Sequence, residues 1–350
     1  MQPAFFYKGH GASDPLMDTH TFLEDSMGSD VPDSPPRLSW MEAAEHEEQR
    51  RAALQLAATQ TQLEVGVIER TGKKGEDRAS VVPRFDGVGD YVGVFDGHRG
   101  SSMASHAAAT MHGVLAEQLL AQAASSAVHA ASTDAPSGAE HEAVRQACHT
   151  TFARVHESAR RADVRDGAAA LCLFTRPGVG GIEVWVANAG DCRAVFCPAA
   201  ASAEPRRLSY DHKAVDAAET ARIEAAGGCV EFGSLEGMLE LSRGLGDFDF
   251  CDAGFSQQPH VAGPIRLGAG DAVLLASDGV WDVFEDAEAS AFVRTRLDEQ
   301  QLAPGAIVNE LVQQAAARRS RDDKTAILVH APRPRPVVLG TSDSVSNSVD

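Results

Sequence analysis

The sequence predicts an α+β sandwich in which helices pack outside an antiparallel β core. Short runs rich in β-branched and aromatic residues follow one another, with Gly and Asp between them, which is typical of strands joined by tight turns. Helical patterns come in pairs, one after the third predicted strand and one near the end of the chain. Such pairs between groups of strands do not fit a βαβ repeat.

The predicted elements follow from local composition, taken in chain order. Strands are predicted at 65–68, 79–82, 91–95, 170–174, 182–186, 193–196, 229–232, 238–242, 272–276 and 325–329. Helices are predicted at 101–124, 140–162, 217–226, 287–296 and 304–318. The Ala- and Ser-rich stretch 121–139 is predicted to be a loop, and Asn188–Asp191 a hairpin turn between two strands.

The ends of the chain differ from its middle in composition. Residues 1–37 lack periodicity and are predicted to be disordered. Residues 38–61 are predicted to form a helical lead-in to a folded domain over 62–331. The tail 332–350, rich in Pro and then in Ser and Asp, should be extended and mobile.

Charge and length bound the function. The chain has 350 residues, of which 43% are hydrophobic, and a formal net charge of −19. That acidity argues against nonspecific binding to nucleic acid or to an anionic membrane, because both need a basic surface. No apolar stretch is long enough to span a bilayer. We expect a monomer with neither nucleic acid nor membrane as partner.

The six cysteines are scattered, and none forms a CxxC pair. This spacing disfavours a thiolate zinc site and a disulfide framework, and it favours reduced, mostly buried thiols. The N-terminus has no apolar signal core. We therefore expect a cytoplasmic protein, with the nucleus as an alternative.

Two apolar runs end in Asp-Gly: 91–95 before Asp96-Gly97 and 272–276 before Asp278-Gly279. A strand that stops at Asp-Gly places a carboxylate at the rim of a sheet. An isolated Asp-Gly pair is more often a turn, which is how we interpret Asp86-Gly87 and Asp166-Gly167. Acidic residues near Glu76 and near Asp322 make four separated segments that could assemble a centre of oxygen ligands for Mg²⁺ or Mn²⁺.

The residues around these acids resemble the motifs of the metal-dependent type 2C protein phosphatases. Six segments match in the order of the family and span about 63–331: Glu76-Asp77, Val94–Gly100, Asn188–Arg193, Ser242–Asp247, Ala276–Asp282 and Ser320–Thr325. One such match would be weak, whereas six in order are specific. The resemblance implies an α-β-β-α sandwich of two antiparallel sheets flanked by helices.

The resemblance also implies an activity and assigns roles. It implies a protein serine/threonine phosphatase of signalling, in which a hydroxide bridging two Mg²⁺ or Mn²⁺ ions attacks phosphoserine or phosphothreonine directly. Asp96 would bridge the ions, and the others would bind one ion each or support the shell: Glu76, Asp77, Gly97, Asp278 and Asp322. Asp191, Asp278 and Asp282 resemble a weaker third metal site. His98 would protonate the leaving oxygen; without the flanking match it would be a histidine hydrogen-bonded at a strand end.

Three positions depart from the family pattern. Gly72 stands where an arginine usually contacts phosphate, so Arg70, Lys73 or Lys74 could substitute, with exposed surface charge as the alternative for each. Gly167-Ala168-Ala169-Ala170 replaces a segment that usually carries hydroxyls, and Asp323 replaces an asparagine. Arg243 and Asp247 are expected to form a structural ion pair.

Two further hypotheses are weighed against an active phosphatase. The domain could be a pseudophosphatase that serves as a binding or regulatory module. Such a module commonly loses a ligand carboxylate, whereas this chain keeps Glu76, Asp96, Asp278 and Asp322. An unrelated metal-dependent hydrolase would not explain six ordered motifs.

Overall fold

The computed structural model describes residues 63–72, 74–129, 138–178 and 181–333. The predictions for 1–37 and 38–61, and nearly all of the predicted tail 332–350, lie outside the described residues, and so does Lys73. The strands are β1 Glu64–Arg70, β2 Arg78–Phe85, β3 Gly89–His98, β4 Gly167–Gly178, β5 Gly181–Ala189, β6 Arg193–Cys197, β7 Arg206–Arg207, β8 Val230–Glu231, β9 Ser234–Leu235, β10 Leu245–Gly246, β11 His260–Leu267, β12 Ala272–Ala276 and β13 Lys324–His330. The α-helices are α1 Ser102–His129, α2 Gly138–Arg161, α3 Ala217–Ala225, α4 Asp278–Trp281, α5 Asp286–Arg294 and α6 Pro304–Ala317.

The described strands form two large antiparallel sheets. One has the order β1-β13-β12-β6-β7, and the other has the order β11-β5-β4-β3-β2 with β10 paired to β4. Side chains of both sheets, such as Val94 and Leu171 from one and Leu275 and Ile327 from the other, share one buried cluster. The sheets therefore pack face to face, with the main core between them.

Helices cover the outer face of each sheet. Met111 of α1 and Phe152 of α2 belong to a buried cluster with Phe174 and Trp185 of the β11-to-β2 sheet. The helices α5 and α6 cover the other sheet, through buried side chains such as Leu311 against β12 and β13. The predicted α-β-β-α sandwich of two antiparallel sheets is confirmed.

Several local predictions are wrong. Asn188–Asp191 is not a hairpin turn, because β5 and β6 belong to different sheets and this segment carries the chain from one to the other. Residues 238–242 form isolated bridges instead of a strand. The predicted loop 121–139 is helical as far as His129 and again from Gly138, where α2 begins.

Two more differences have visible physical causes. The strand β11 is missing from the prediction because Gly263 and Pro264 interrupt its pattern, and its register shifts at that point. Asp166-Gly167 is more than a turn: Gly167 begins β4, and the Asp166 carboxylate accepts hydrogen bonds from the backbone N–H of Ser102 and Met103 at the start of α1.

The described helices include none that is long and apolar enough to cross a membrane. All six cysteines lie in the described residues as free thiols, and Cys148, Cys172, Cys192 and Cys197 are buried. The prediction of free, mostly buried thiols is therefore confirmed.

Candidate active site

Carboxylates from both sheets converge at one end of the sandwich. Asp96 lies two residues before the end of β3, and Asp191 lies on the crossing between β5 and β6. Asp278 follows β12, and Asp322 precedes β13. The strand ends that carry these acids come from opposite sheets, so the sandwich itself brings together residues far apart in sequence.

The acids of this centre raise one another's pKa. Burial raises the pKa of Asp96 well above its usual range, and the nearby Asp77, Asp278 and Asp191 add to the shift. Burial also raises the pKa of Asp278 to about 7, with contributions from Asp191, Asp282 and Asp322. Negative charge at this edge is thus left largely uncompensated by the protein.

Two carboxylate oxygens of the centre are buried without a hydrogen-bond partner among the described residues: Glu76 Oε2 and Asp278 Oδ1. An unpaired buried carboxylate oxygen is costly unless something satisfies it, and a hard divalent cation is a suitable partner. The donor set therefore fits Mg²⁺ or Mn²⁺. Within the described residues, no group of three or more His, Cys, Asp or Glu side chains is arranged to hold a metal ion.

Gly97 brings β3 against the loop that carries Glu76. A Cβ atom on Gly97 would lie 2.6 Å from the Glu76 carbonyl oxygen and 2.9 Å from that of Gly100, so only glycine fits this approach. Asp77 is held beside the centre because Ser277 Oγ donates a hydrogen bond of 2.8 Å to its Oδ2. Glu76, Asp77 and Gly97 therefore lie at the same edge as Asp96.

The loop at Gly72 explains two of the departures from the family pattern together. A Cβ atom on Gly72 would lie 2.4 Å from the Asp322 carbonyl oxygen, which leaves no room for an arginine. The Asp323 carboxylate instead accepts hydrogen bonds from the backbone N–H of Gly72 and Glu76, both at 2.5 Å. Burial alone would raise the pKa of Asp323, but these donors hold it below its usual range.

Of the three cations proposed to replace that arginine, Lys74 lies at the acidic centre. Its Nζ is 3.2 Å from Asp322 Oδ2, and its charge also interacts with Glu76 and Asp96. Arg70 ends β1 opposite Lys324 in the register of the sheet. Sequence spacing could not distinguish Lys74 from Arg70, whereas the contacts of these two residues do.

A second lysine, Lys213, reaches the centre. Lys213 Nζ lies 3.4 Å from Asp191 Oδ2. Burial alone would lower the pKa of this lysine, but Asp191, followed by Asp282 and Asp278, raises it. The three acids predicted to resemble a third metal site are therefore close together, with an ammonium group beside them.

His98 is paired with a buried carboxylate, and this pair was missed from the sequence. His98 Nε2 lies 2.6 Å from Asp247 Oδ2, and Arg99 donates to the other oxygen of the same carboxylate. The predicted ion pair between Arg243 and Asp247 is wrong, because Arg243 instead binds Glu219 at 2.6 Å. Residues 98 and 247 meet only through the pairing of β3 and β10 with β4, so no local signal could identify them.

A glycine and two alanines of β4 lie directly beside the residues of this site. A Cβ atom on Gly167 would lie 2.1 Å from Asp247 Oδ2 and 2.4 Å from His98 Nε2, so the pair needs glycine there. Ala169 and Ala168 pair with Asp96 and Gly97 in the register of β4 and β3. Ala168 and Ala169 belong to the segment that carries hydroxyls in the family pattern, and they therefore lie directly beside the acidic centre.

The fold and this edge define a class of protein: an α-β-β-α sandwich whose two sheets end at a shared carboxylate centre. Residues 80–324 match the family model of protein phosphatase 2C. The chain belongs to the protein phosphatase 2C family.

Similar proteins agree with this assignment. The chain is 31% identical over 272 residues to a probable protein phosphatase 2C 57 of Oryza sativa subsp. japonica, covering 75% of this chain and 68% of that protein. It is 32% identical over 255 residues to a human probable protein phosphatase 1N, covering 69% and 54%. The fold resembles that of a serine-threonine phosphatase 2C from Toxoplasma gondii, with a TM-score of 0.61, 22% identity, and coverage of 77% and 94%. The matches to the first two span between about half and two thirds of each relative.

Proposed function

We propose that this chain is a Mg²⁺- or Mn²⁺-dependent protein serine/threonine phosphatase that hydrolyses phosphoserine and phosphothreonine without a phospho-enzyme. The observation that carries the proposal is the set of uncompensated carboxylates at the shared edge, with buried oxygens on Glu76 and Asp278 that lack partners among the described residues. A pseudophosphatase is not favoured, because no carboxylate of the predicted set has been replaced.

The proposed ligands divide between the two sheets. Asp96 would be shared by two ions, with Glu76 and the carbonyl of Gly97 completing one shell and Asp278 and Asp322 the other. Asp77 would support the shell through its hydrogen bond from Ser277. Asp191, Asp278 and Asp282 would form a weaker third site, where Lys213 already balances part of the charge.

When bound, such ions supply an activated water and neutralise charge on the phosphoryl group. The chain's own residues would do the rest. His98 would give a proton to the leaving serine or threonine oxygen. Its Nε2 is engaged by Asp247, so Nδ1 is the nitrogen that we assign to the substrate.

The phosphate itself needs a cationic partner in place of the missing arginine. Lys74 is the candidate that the loop presents to the centre, and its half-exposed ammonium could move from Asp322 to a bound phosphate. Arg70 and Lys73 are the alternative candidates for this role. An ammonium is a point charge and cannot form the bidentate contact of a guanidinium, so phosphate affinity should be modest.

We further propose that the protein acts on phosphoprotein substrates as a cytoplasmic or nuclear monomer, and binds neither nucleic acid nor membrane. The net charge of −19 supports the absence of binding to nucleic acid and to anionic membranes, because these polyanionic surfaces would repel the protein.

The test is release of phosphate from a phosphothreonine peptide with Mn²⁺, with Mg²⁺ and with a chelator. The Asp96→Asn variant should lose nearly all activity, because its shared carboxylate would become neutral. Asp163→Asn is the matched control: Asp163 is exposed, has a left-handed backbone that Asn accepts, and lies outside the centre. Activity that survives both chelator and Asp96→Asn would contradict the proposal, and inactivity in every metal would favour the pseudophosphatase.

A further inference from the structure

A histidine interrupts the buried face of α2. His156 is 5% exposed, and the other buried residues of this helix are apolar except for Thr151. Burial, together with the charge of Arg160, lowers the pKa of His156 to about 4, so its imidazole is neutral at pH 7. A buried neutral imidazole has one N–H donor and one acceptor nitrogen, and leaving either without a partner is costly.

Both ring nitrogens of His156 face one short segment, residues 246–251, which we call the Asp247 turn. The backbone N–H of Gly246 donates to His156 Nδ1 at 3.3 Å. Since Nδ1 accepts, Nε2 carries the proton, and it lies 3.8 Å from Cys251 Sγ. The Phe248 ring packs edge-on against the imidazole, with the ring centroids 4.7 Å apart. One side chain of α2 therefore contacts the beginning, the middle and the end of the Asp247 turn.

The backbone of the Asp247 turn is left-handed where it presents the carboxylate. Gly246 and Asp247 have φ angles of +79° and +49°, and a Cβ atom on Gly246 would lie 2.2 Å from the Asp166 carbonyl oxygen. The backbone N–H of Asp247 reaches that same oxygen only at 3.4 Å, which is long for a hydrogen bond. The neighbouring bond from Gly246 to His156 therefore helps to fix the backbone on this side of Asp247.

The Asp247 side chain connects this backbone to the proposed acid. Asp247 is fully buried, and its Oδ2 lies 2.6 Å from His98 Nε2. A carboxylate held in this way fixes the orientation of the imidazole that it contacts, so a shift of the Asp247 turn would also shift His98. His156 and His98 are thus linked through Gly246 and Asp247, although they lie on different elements of the fold.

We propose that His156 is a positioning residue of the reaction, which holds the Asp247 turn so that Asp247 can orient His98 for proton transfer to the leaving oxygen. This proposal rests on the proposed phosphatase activity and goes beyond it, because it assigns a role to a buried residue of α2. In this role His156 acts only through Gly246 and Asp247.

The first test is His156→Phe, which keeps an aromatic ring and removes both nitrogens. Its kcat for a phosphoserine peptide should fall about tenfold with KM unchanged, because the acid is needed in the transition state and not for binding. Hydrolysis of p-nitrophenyl phosphate should fall less than about twofold, since that leaving group needs little protonation. In the Asp247→Asn background, His156→Phe should cause no further loss.

A conservative variant tests the acceptor itself. In His156→Asn the side-chain oxygen can take the place of Nδ1 and accept from the Gly246 N–H, so this variant should recover most of the kcat that His156→Phe loses. Thr151→Val is the matched control, because it removes another polar group from the buried face of α2, a hydroxyl that donates to the Ala147 carbonyl at 2.7 Å. It should not discriminate between the two substrates. Thermal unfolding of each variant shows that it is folded.

Amide hydrogen exchange gives a measurement that does not depend on activity. In His156→Phe the Gly246 N–H should exchange at least about tenfold faster than in the parent chain, because its acceptor is gone. The amides of β12, which pair within the other sheet, should keep their exchange rates.

The outcomes separate this proposal from the proposed function. A parent chain that hydrolyses neither substrate would refute the activity, and the exchange of the Gly246 amide would still show whether His156 holds the turn. Equal losses for the two substrates in His156→Phe would overturn the positioning role. A further loss in the Asp247→Asn background would also overturn it, and so would a His156→Asn variant that is no faster than His156→Phe.

Discussion

Two clusters of carboxylates in this protein have opposite surroundings. Glu219 is buried, but Arg243 and Arg222 donate to it, so its pKa is held at about 2 although burial alone would raise it. Asp278 is partly buried, but its neighbours are Asp191, Asp282 and Asp322, and desolvation together with these acids raises its pKa to about 7. A carboxylate that is paired with arginine side chains of the protein stabilises the fold. A carboxylate that is surrounded by other carboxylates is available to bind an external cation.

The largest expected effect comes from removing a charge at the uncompensated cluster. Asp278→Asn should lower phosphatase activity on the order of a hundredfold or more, because a proposed ligand becomes neutral. The same change should raise the melting temperature of the chelator-treated protein, because repulsion with Asp191 and Asp282 is removed. Steady-state kinetics and thermal unfolding with chelator measure the two effects. A fall in melting temperature would contradict the uncompensated state of the cluster.

The compensated cluster should respond in the opposite way. Glu219→Gln should lower the free energy of unfolding by about 3 kcal/mol at pH 7, because Arg222 and Arg243 lose a shared buried partner. Since the folded pKa of Glu219 lies below its ordinary value, its stabilisation is present above that value and is lost as the pH falls towards about 2. The difference between variant and parent in urea unfolding should therefore shrink between pH 5 and pH 3. A constant difference over this range would contradict the ion-pair explanation.

Asp247 offers an intermediate case, because its partners are one arginine and one histidine with a proposed chemical role. Asp247→Asn should slow hydrolysis of a phosphoserine peptide about tenfold through misplacement of His98, and slow p-nitrophenyl phosphate less, because that leaving group needs little protonation. His98→Ala should show the same selectivity, and the double variant should be no worse than His98→Ala alone. Additive losses of activity in the double variant would contradict this prediction, because Asp247 and His98 would then act independently.

The smallest effect should come from Lys74, which compensates the acidic centre only in part. Lys74→Ala should raise KM severalfold for a phosphopeptide with little change in kcat, because an exposed ammonium contributes about 1 kcal/mol or less. Lys74→Arg should preserve KM. If Arg70→Ala rather than Lys74→Ala raises KM, the phosphate contact belongs to Arg70.

Much of this arrangement could be predicted from sequence because the acids sit in recognisable local patterns. The strand-ending Asp96-Gly97 and Asp278-Gly279 were identified that way, and their neighbourhood in space follows from the predicted sandwich. The predictions that were wrong concern which side chains and which strands pair with each other. The pairing of Asp247 with His98 depends on strands brought together across the β4 strand, and the path of 188–191 depends on which sheet receives β6.

The departures at Gly72 and Asp323 teach a related lesson. In the sequence they are two separate exceptions about 250 residues apart, and each one weakens the match to the family. In the structure the Asp323 carboxylate holds the backbone of the loop that begins at Gly72, and the close approach of Asp322 forbids a larger residue there. A single sequence cannot reveal that the departures at Gly72 and Asp323 belong to the same local structure.

The origin of the acidic centre in both sheets has a mechanical consequence. Asp96 belongs to the β11-to-β2 sheet, whereas Asp278 and Asp322 extend from the β1-to-β7 sheet. An ion held between these residues would link the two sheets. It would resist any sliding of one sheet over the other. This edge of the sandwich would then be rigid only with the ion bound, and the relative motion of the two sheets would slow when the ion binds.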